Sequence, residues 1–315
     1  MKLAFVFPGQ GSQSVGMMAP FANVPEAVDT FREASDALGL DLWQLVADGP
    51  VEELARTVNT QPVMLTAGVA VYRAWLAAGG PEPALLAGHS LGEYAALVAA
   101  RSLRLADAVP LVRFRAQAMQ EAVPEGAGAM AAILGLSDDD VRAACIEAAA
   151  ATGMIVEPVN FNAPSQVVIA GDKAAVEKGI ETCTARGAKR GVLLPVSAPF
   201  HSSLLKPAAA RLAERLAAVN VLPPEIPVVH NVDLTLSTSG DEVRSALARQ
   251  AASPVRWVET IRKLSAEGVT HVAECGPGKV LQGLVRRISP EVRCVALTDP
   301  ASIAALLATL QGNAT

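Results

Sequence analysis

Ser90 is the residue on which chemistry can be built. It lies in Gly88-His89-Ser90-Leu91-Gly92, between the apolar run Leu85-Leu86-Ala87 and the apolar stretch Tyr94-Ala95-Ala96-Leu97. A strand, Gly-x-Ser-x-Gly and a helix, in that order, make a nucleophile elbow that exposes the serine hydroxyl at its tip. The N–H of Leu91, at the start of the helix, points to where an oxyanion would form. A serine needs a base, and the chain has four histidines. His89 sits inside the elbow and is expected to point away from the face Ser90 uses. His230 and His271 lie in apolar strand-like runs, where a structural role is expected. His201 follows the stiff stretch Pro195-Val196-Ser197-Ala198-Pro199-Phe200, at a junction where a cleft would form, and is the candidate base. A serine with a downstream histidine specifies acyl transfer through a covalent ester.

A second oxyanion donor should come from a neighbouring loop. Leu3 to Phe7 reads as a buried central strand, and Gly9-Gln10-Gly11 turns straight after it. Adjacent strands of a parallel sheet end on the same edge, so this turn is well placed. It is neither a P-loop nor a GxGxxG fingerprint. Most elbow hydrolases order the histidine with an acid, yet no Asp or Glu stands out in that role. A backbone carbonyl could orient the imidazole instead.

Arg115 is the second informative residue. Leu105, Val109, Val112, Ala116, Met119 and Val123 define one face of an amphipathic helix, with Pro110 read near its start. Arg113 falls on the polar flank of that helix and reads as solvated. Arg115 falls on an apolar flank, where an unpaired charge is costly. No Asp or Glu lies three or four residues away, so it needs an anion from elsewhere. A snorkelling arginine or a remote salt bridge is the competing reading.

The elements that must position these residues alternate as in an α/β protein. A helical stretch spans about 25–57 and a second spans 60–78. Strand-like runs recur at 84–87, 226–232, 269–274 and 292–297. Between about 125 and 197 the texture changes to β-α-β-β-α-β, the ferredoxin-like pattern. We therefore expect an α/β-hydrolase-like parallel-sheet core, formed by 1–124 and 198–315. Residues 125–197 would form an inserted ferredoxin-like subdomain. A chain of 315 residues suits two such units. Its net charge of −5 argues against binding nucleic acid through bulk charge. Four scattered cysteines without a CxxC pair indicate neither a zinc site nor a disulfide framework. No apolar run approaches the roughly 20 residues that span a membrane, and the N-terminal run is too short for a signal peptide. A cytoplasmic protein is expected, with a loose tail after Gly312.

Taken in order, several motifs resemble those of the malonyl-CoA:acyl carrier protein transacylases of type II fatty acid synthesis. They are Phe7-Pro8-Gly9-Gln10-Gly11-Ser12-Gln13, Gly88-His89-Ser90-Leu91-Gly92-Glu93-Tyr94 and Arg115 with Met119-Gln120. Gly128-Ala129-Met130-Ala131-Ala132, Asn160-Phe161-Asn162-Ala163-Pro164, Pro199-Phe200-His201-Ser202 and Glu274-Cys275-Gly276-Pro277-Gly278 extend the match over essentially the whole chain. The resemblance implies that Ser90 is the acylated nucleophile and His201 its base. It implies an oxyanion hole from the amides of Gln10 and Leu91, and a malonyl carboxylate held by Arg115. Gln250 would orient His201 through its main-chain carbonyl. Asn162 would line the pocket, and Phe200 would suit a malonyl rather than a methylmalonyl unit. The implied cycle is ping-pong between malonyl-CoA and the phosphopantetheine thiol of acyl carrier protein, with no cofactor and no metal; a monomer is expected. Carrier proteins of this type are acidic, so a basic rim is expected, with Lys189, Arg190, Lys279, Arg286 and Arg287 as candidates. The alternatives are a serine esterase or thioesterase built on the same elbow, and the malonyl loading enzyme of a polyketide pathway.

Overall fold

The computed structural model describes residues 1–196 and 198–312, so the tail after Gly312 lies outside the described residues. β1 (Leu3–Phe7) leads through α1 (Pro25–Leu38), α2 (Leu42–Asp48), α3 (Val51–Ala55) and α4 (Thr57–Ala77) to β2 (Leu85–Gly88). α5 (Gly92–Ala99) and α6 (Leu105–Glu121) follow. Next come β3 (Gly128–Leu134), α7 (Asp138–Thr152), β4 (Val156–Ala163), β5 (Gln166–Asp172), α8 (Lys173–Ala185) and β6 (Arg190–Leu193). The chain ends with α9 (Lys206–Ala217), β7 (Val228–Val229), α10 (Gly240–Gln250), α11 (Trp257–Ala266), β8 (His271–Cys275), α12 (Val280–Ile288), β9 (Arg293–Leu297) and α13 (Pro300–Gly312).

The larger sheet has the order β7-β2-β1-β8-β9, with every neighbouring pair parallel. β1 is central and buried along its whole length, which is why it reads as an unbroken apolar run. Its side chains alternate between two helix layers. Phe5 and Phe7 pack with α1, α4, α5 and α6, where the Phe5 and Trp75 rings meet edge-on with centroids 5.3 Å apart. Ala4 and Val6 pack against α11 and α12 on the other face.

The second sheet has the order β4-β5-β3-β6, all antiparallel. With α7 and α8 between its strands, this is the ferredoxin-like arrangement. Ala131 and Ile133 of β3 face the helices, whereas Met130, just before them, faces the other way, towards Phe200. β4 ties the small sheet to the segment ahead of α11: Phe161 N–H donates to Val255 O at 3.0 Å, and Val255 N–H to Val159 O at 2.8 Å.

Two local expectations need correction. The stretch 25–57 is three helices, because Gly39 enters the left-handed region and Asp41 then caps a new helix by accepting from Gln44 N–H at 2.8 Å. Pro110 lies inside α6, six positions along it, beyond the free N–H groups of the first turn. The helix nonetheless runs on to Glu121 and carries Arg115 on its buried side.

Candidate active site

The elbow forms because nothing larger than glycine fits where β2 meets α5. A Cβ at Gly88 would lie 1.9 Å from the carbonyl carbon of Gly92, and one at Gly92 would lie 2.0 Å from Phe7 O. Ser90, between them, is held at φ 52°, a conformation that costs a non-glycine residue roughly 1–3 kcal/mol. Hydrogen bonds from three directions hold it there. His89 N–H donates to Phe7 O at 3.0 Å. Ser90 N–H donates to Asn231 Oδ1 at 2.7 Å, and Asn231 Nδ2 donates to Gly88 O at 2.7 Å. Gln250 Nε2 donates to Ser90 O at 3.0 Å.

His201 reaches the elbow from the segment that follows β6. The Ser202 hydroxyl donates to Pro199 O at 2.7 Å, and Ser203 N–H donates to Glu157 Oε2 of β4 at 2.7 Å, so the small sheet holds this loop in place. His201 Nδ1 is 3.0 Å from Gln250 O, and Nε2 is 2.7 Å from Ser90 Oγ. A carbonyl oxygen can only accept, so Nδ1 carries the proton and Nε2 offers its lone pair to the serine hydroxyl. Burial, with the Arg115 charge adding to it, pushes the imidazole pKa down to about 3. The ring is therefore neutral, with the Nε2 lone pair free to accept.

Arg115 is buried beside the serine. Nη1 donates to Gln61 Oε1 at 2.8 Å, and Nη2 to Gln250 Oε1 at 3.0 Å and Ser90 Oγ at 3.1 Å. Nε has no partner. Its acceptors are neutral, and no salt bridge to a carboxylate forms among the described residues. Burial lowers its pKa, while Tyr94 and Glu93 work the other way. A guanidinium stays charged even so.

A cavity of about 190 Å³ opens at Ser90. Seven of the expected site residues line it: Gln10, Ser90, Leu91, Arg115, Asn162, Phe200 and His201. Gln250 does not line it. The turn after β1 packs directly on the elbow, since a Cβ on Gly9 would come within 2.6 Å of His89 O. Leu91 N–H, at the helix N-cap, has no acceptor among the described residues. Such an arrangement can take a proton from Ser90, stabilise negative charge on an attacked carbonyl and pair a second, fixed negative charge.

His89 differs from expectation. Its ring lines the cavity, and Nε2 donates to Asn162 Oδ1 at 2.8 Å. Burial lowers its pKa against the opposing effect of that bond. It is too engaged to serve as a base and instead pins Asn162. Three residues escaped the sequence reading. Gln61 and Glu93 are polar residues inside apolar helical stretches, a signal that was available. Asn231 follows a short apolar run and carries no local signal. The five candidate rim cations are all exposed, and Arg287 Nη2 donates to Pro164 O at 3.1 Å. The described residues include no cluster of metal-ligating side chains and no helix long and apolar enough to cross a membrane.

Residues 4–315 match the family of the acyl transferase domain. The malonyl CoA-acyl carrier protein transacylase of Escherichia coli K12 is 55% identical over 97% of this chain and 99% of its own. A crystal structure of an acyl-carrier-protein S-malonyltransferase from Burkholderia pseudomallei shares 60% identity at a TM-score of 0.96, covering 98% of this chain and 99% of that one. A malonyl-transacylase solved in complex with its type II polyketide acyl carrier protein shares 50% identity at a TM-score of 0.96, over 98% and 100% of the two chains.

Proposed function

Because the chain belongs to the acyl transferase domain family, among its malonyl CoA-acyl carrier protein transacylases, we propose that Ser90 carries a malonyl group from malonyl-CoA to the thiol of a phosphopantetheinylated acyl carrier protein. One observation carries the assignment of the acyl group: the buried Arg115 guanidinium is surrounded by neutral acceptors and lies 3.1 Å from Ser90 Oγ. A malonyl group has a single methylene between its carbonyl and its carboxylate. A cation within hydrogen-bond reach of the nucleophile is therefore at the range such an acyl group needs.

In the proposed cycle, His201 Nε2 takes the proton of Ser90 as Oγ attacks the thioester carbonyl. The amides of Leu91 and Gln10 hold the oxyanion. Collapse expels CoA, whose sulfur takes the proton back from His201, and malonyl-Ser90 remains. The carrier thiol then gives His201 its proton and attacks the ester, and Ser90 recovers its proton on leaving. Arg115 holds the malonyl carboxylate throughout, while Asn162 and Phe200 bound the pocket.

Neither step needs a cofactor or a metal, and the reading is of a monomer working in the cytoplasm. Residues 125–197 act as an inserted subdomain that closes the acyl pocket, and the exposed cations Lys189, Arg190, Lys279, Arg286 and Arg287 suit an acidic carrier. The product supplies the extender unit of fatty acid synthesis. The likeness to a type II polyketide transacylase favours polyketide loading as the second reading.

Intact-mass measurement of the protein mixed with malonyl-, acetyl- or methylmalonyl-CoA tests the proposal. A malonyl adduct on Ser90, passed to carrier thiol much faster than to water, is expected. Hydrolysis as fast as transfer would make the protein an esterase.

A further inference from the structure

Glu93 and His230 are both fully buried, yet neither lines the acyl cavity. The Glu93 carboxylate, in the first turn of α5, accepts from His230 Nδ1 at 2.7 Å, from Asn231 N–H at 3.0 Å and from Gln250 Nε2 at 2.8 Å. With its Nε2 turned to Glu93, the Gln250 amide presents Oε1 to Arg115 Nη2 at 3.0 Å. A single neutral amide thus separates the Glu93 carboxylate from the Arg115 guanidinium. On its other side His230 meets the Ser237 hydroxyl, 2.7 Å from Nε2. The remaining charges near His230 are Asp233 from its own turn and Arg249 and Glu242 from α10. Asp233 and Arg249 form an ion pair at 2.7 Å and so nearly cancel. Glu242 is spent on the Thr238 N–H at 2.7 Å.

A water-poor site must keep its charges close to balance. With Glu93 ionised and His230 protonated, those two cancel and Arg115 retains one positive charge, which an acyl carboxylate then neutralises. With His230 neutral, Glu93 already balances Arg115 through Gln250, and a bound carboxylate leaves a net negative charge. We propose that Glu93 and His230 are a positioning pair that determines acyl specificity, in which His230 engages Glu93 so that the Arg115 charge is left for the carboxylate of the acyl group. This rests on the reading of Arg115 as the carboxylate clamp. Burial disfavours the imidazolium, but the hydrogen bond to Glu93 and its charge outweigh burial and raise the pKa of His230.

The test is the ratio of single-turnover acylation rates of Ser90 by malonyl-CoA and by acetyl-CoA, measured on the full chain. His230→Gln should lower the malonyl-to-acetyl ratio roughly tenfold. Glu93→Gln should not lower it, and the double variant should return it to near the unmodified value. A scaffolding role would slow both substrates alike in both variants, and an unmoved ratio overturns the proposal. The unmodified protein supplies a measurement that needs no variant to fold. The ratio should fall as pH rises from 6 to 10 and His230 loses its proton, because His201 affects both substrates equally. A flat ratio over that range overturns the proposal. Equal acylation by the two substrates in the unmodified protein would instead overturn the clamp reading of Arg115 itself.

Discussion

The Nδ1 atom of His201 lies 3.0 Å from the main-chain oxygen of Gln250. A carbonyl dipole, rather than a carboxylate, therefore orients this histidine. A carboxylate would stabilise an imidazolium strongly, but a neutral oxygen does so only weakly. Burial then dominates and holds the pKa at about 3.

The first prediction is the pH dependence that follows. The folded-state pKa of His201 is depressed below its unfolded value of about 6.5. Between these values the unfolded chain binds the extra proton, so the stability contribution is present above pH 6.5 and is lost as pH falls towards 3. Between pH 7 and pH 5 the loss amounts to on the order of 2 kcal/mol. Urea unfolding of the unmodified protein should show that drop in excess of any drop seen in His201→Gln. Acylation of Ser90 should meanwhile show no loss of base between pH 6.5 and pH 5.

Arg115→Ala should slow acylation by malonyl-CoA about a hundredfold or more, as expected for losing a buried charge pair. Acylation by acetyl-CoA should change by less than about tenfold, because that acyl group has no carboxylate to lose. Stopped-flow release of CoA reads both rates. Equal losses would show that Arg115 serves only to place Ser90.

Ser90 at φ 52° separates two inactive variants. Ser90→Ala and Ser90→Gly both remove Oγ, but only glycine adopts this backbone without strain. Ser90→Gly should be the more stable in denaturant by roughly 1 kcal/mol. The opposite order would mean that the elbow relaxes to a different backbone once the hydroxyl is gone.

Asn231 holds both sides of the elbow, accepting from Ser90 N–H at 2.7 Å and donating to Gly88 O at 2.7 Å. Asn231→Ala leaves a buried donor and a buried acceptor unpaired, which costs about 2–4 kcal/mol. The melting temperature should fall accordingly. The acylation rate should fall as well, since Ser90 Oγ would no longer be held against His201. Unchanged stability would mean that water replaces the amide.

The sequence alone determined whatever depends on near neighbours along the chain. Gly88 and Gly92 fall within five residues of one another around Ser90, so the elbow is legible as a local pattern. The faces of α6 follow from a period of 3.6, which placed Arg115 on a buried flank before any partner was known. The change to β-α-β-β-α-β likewise marked the second sheet. The tertiary structure decided what depends on crossovers of the chain. Asn231 is bonded to Ser90 across 141 positions and Gln61 to Arg115 across 54, and no periodicity encodes such a separation. His89 turns into the cavity because Asn162 of β4 is there to accept its hydrogen bond, so its direction was settled by the other sheet. Glu93 stands out as an acid in an apolar helical stretch, but its partners His230, Asn231 and Gln250 come from distant parts of the chain. Local sterics set the elbow, and the long-range packing of two sheets set the charges around it.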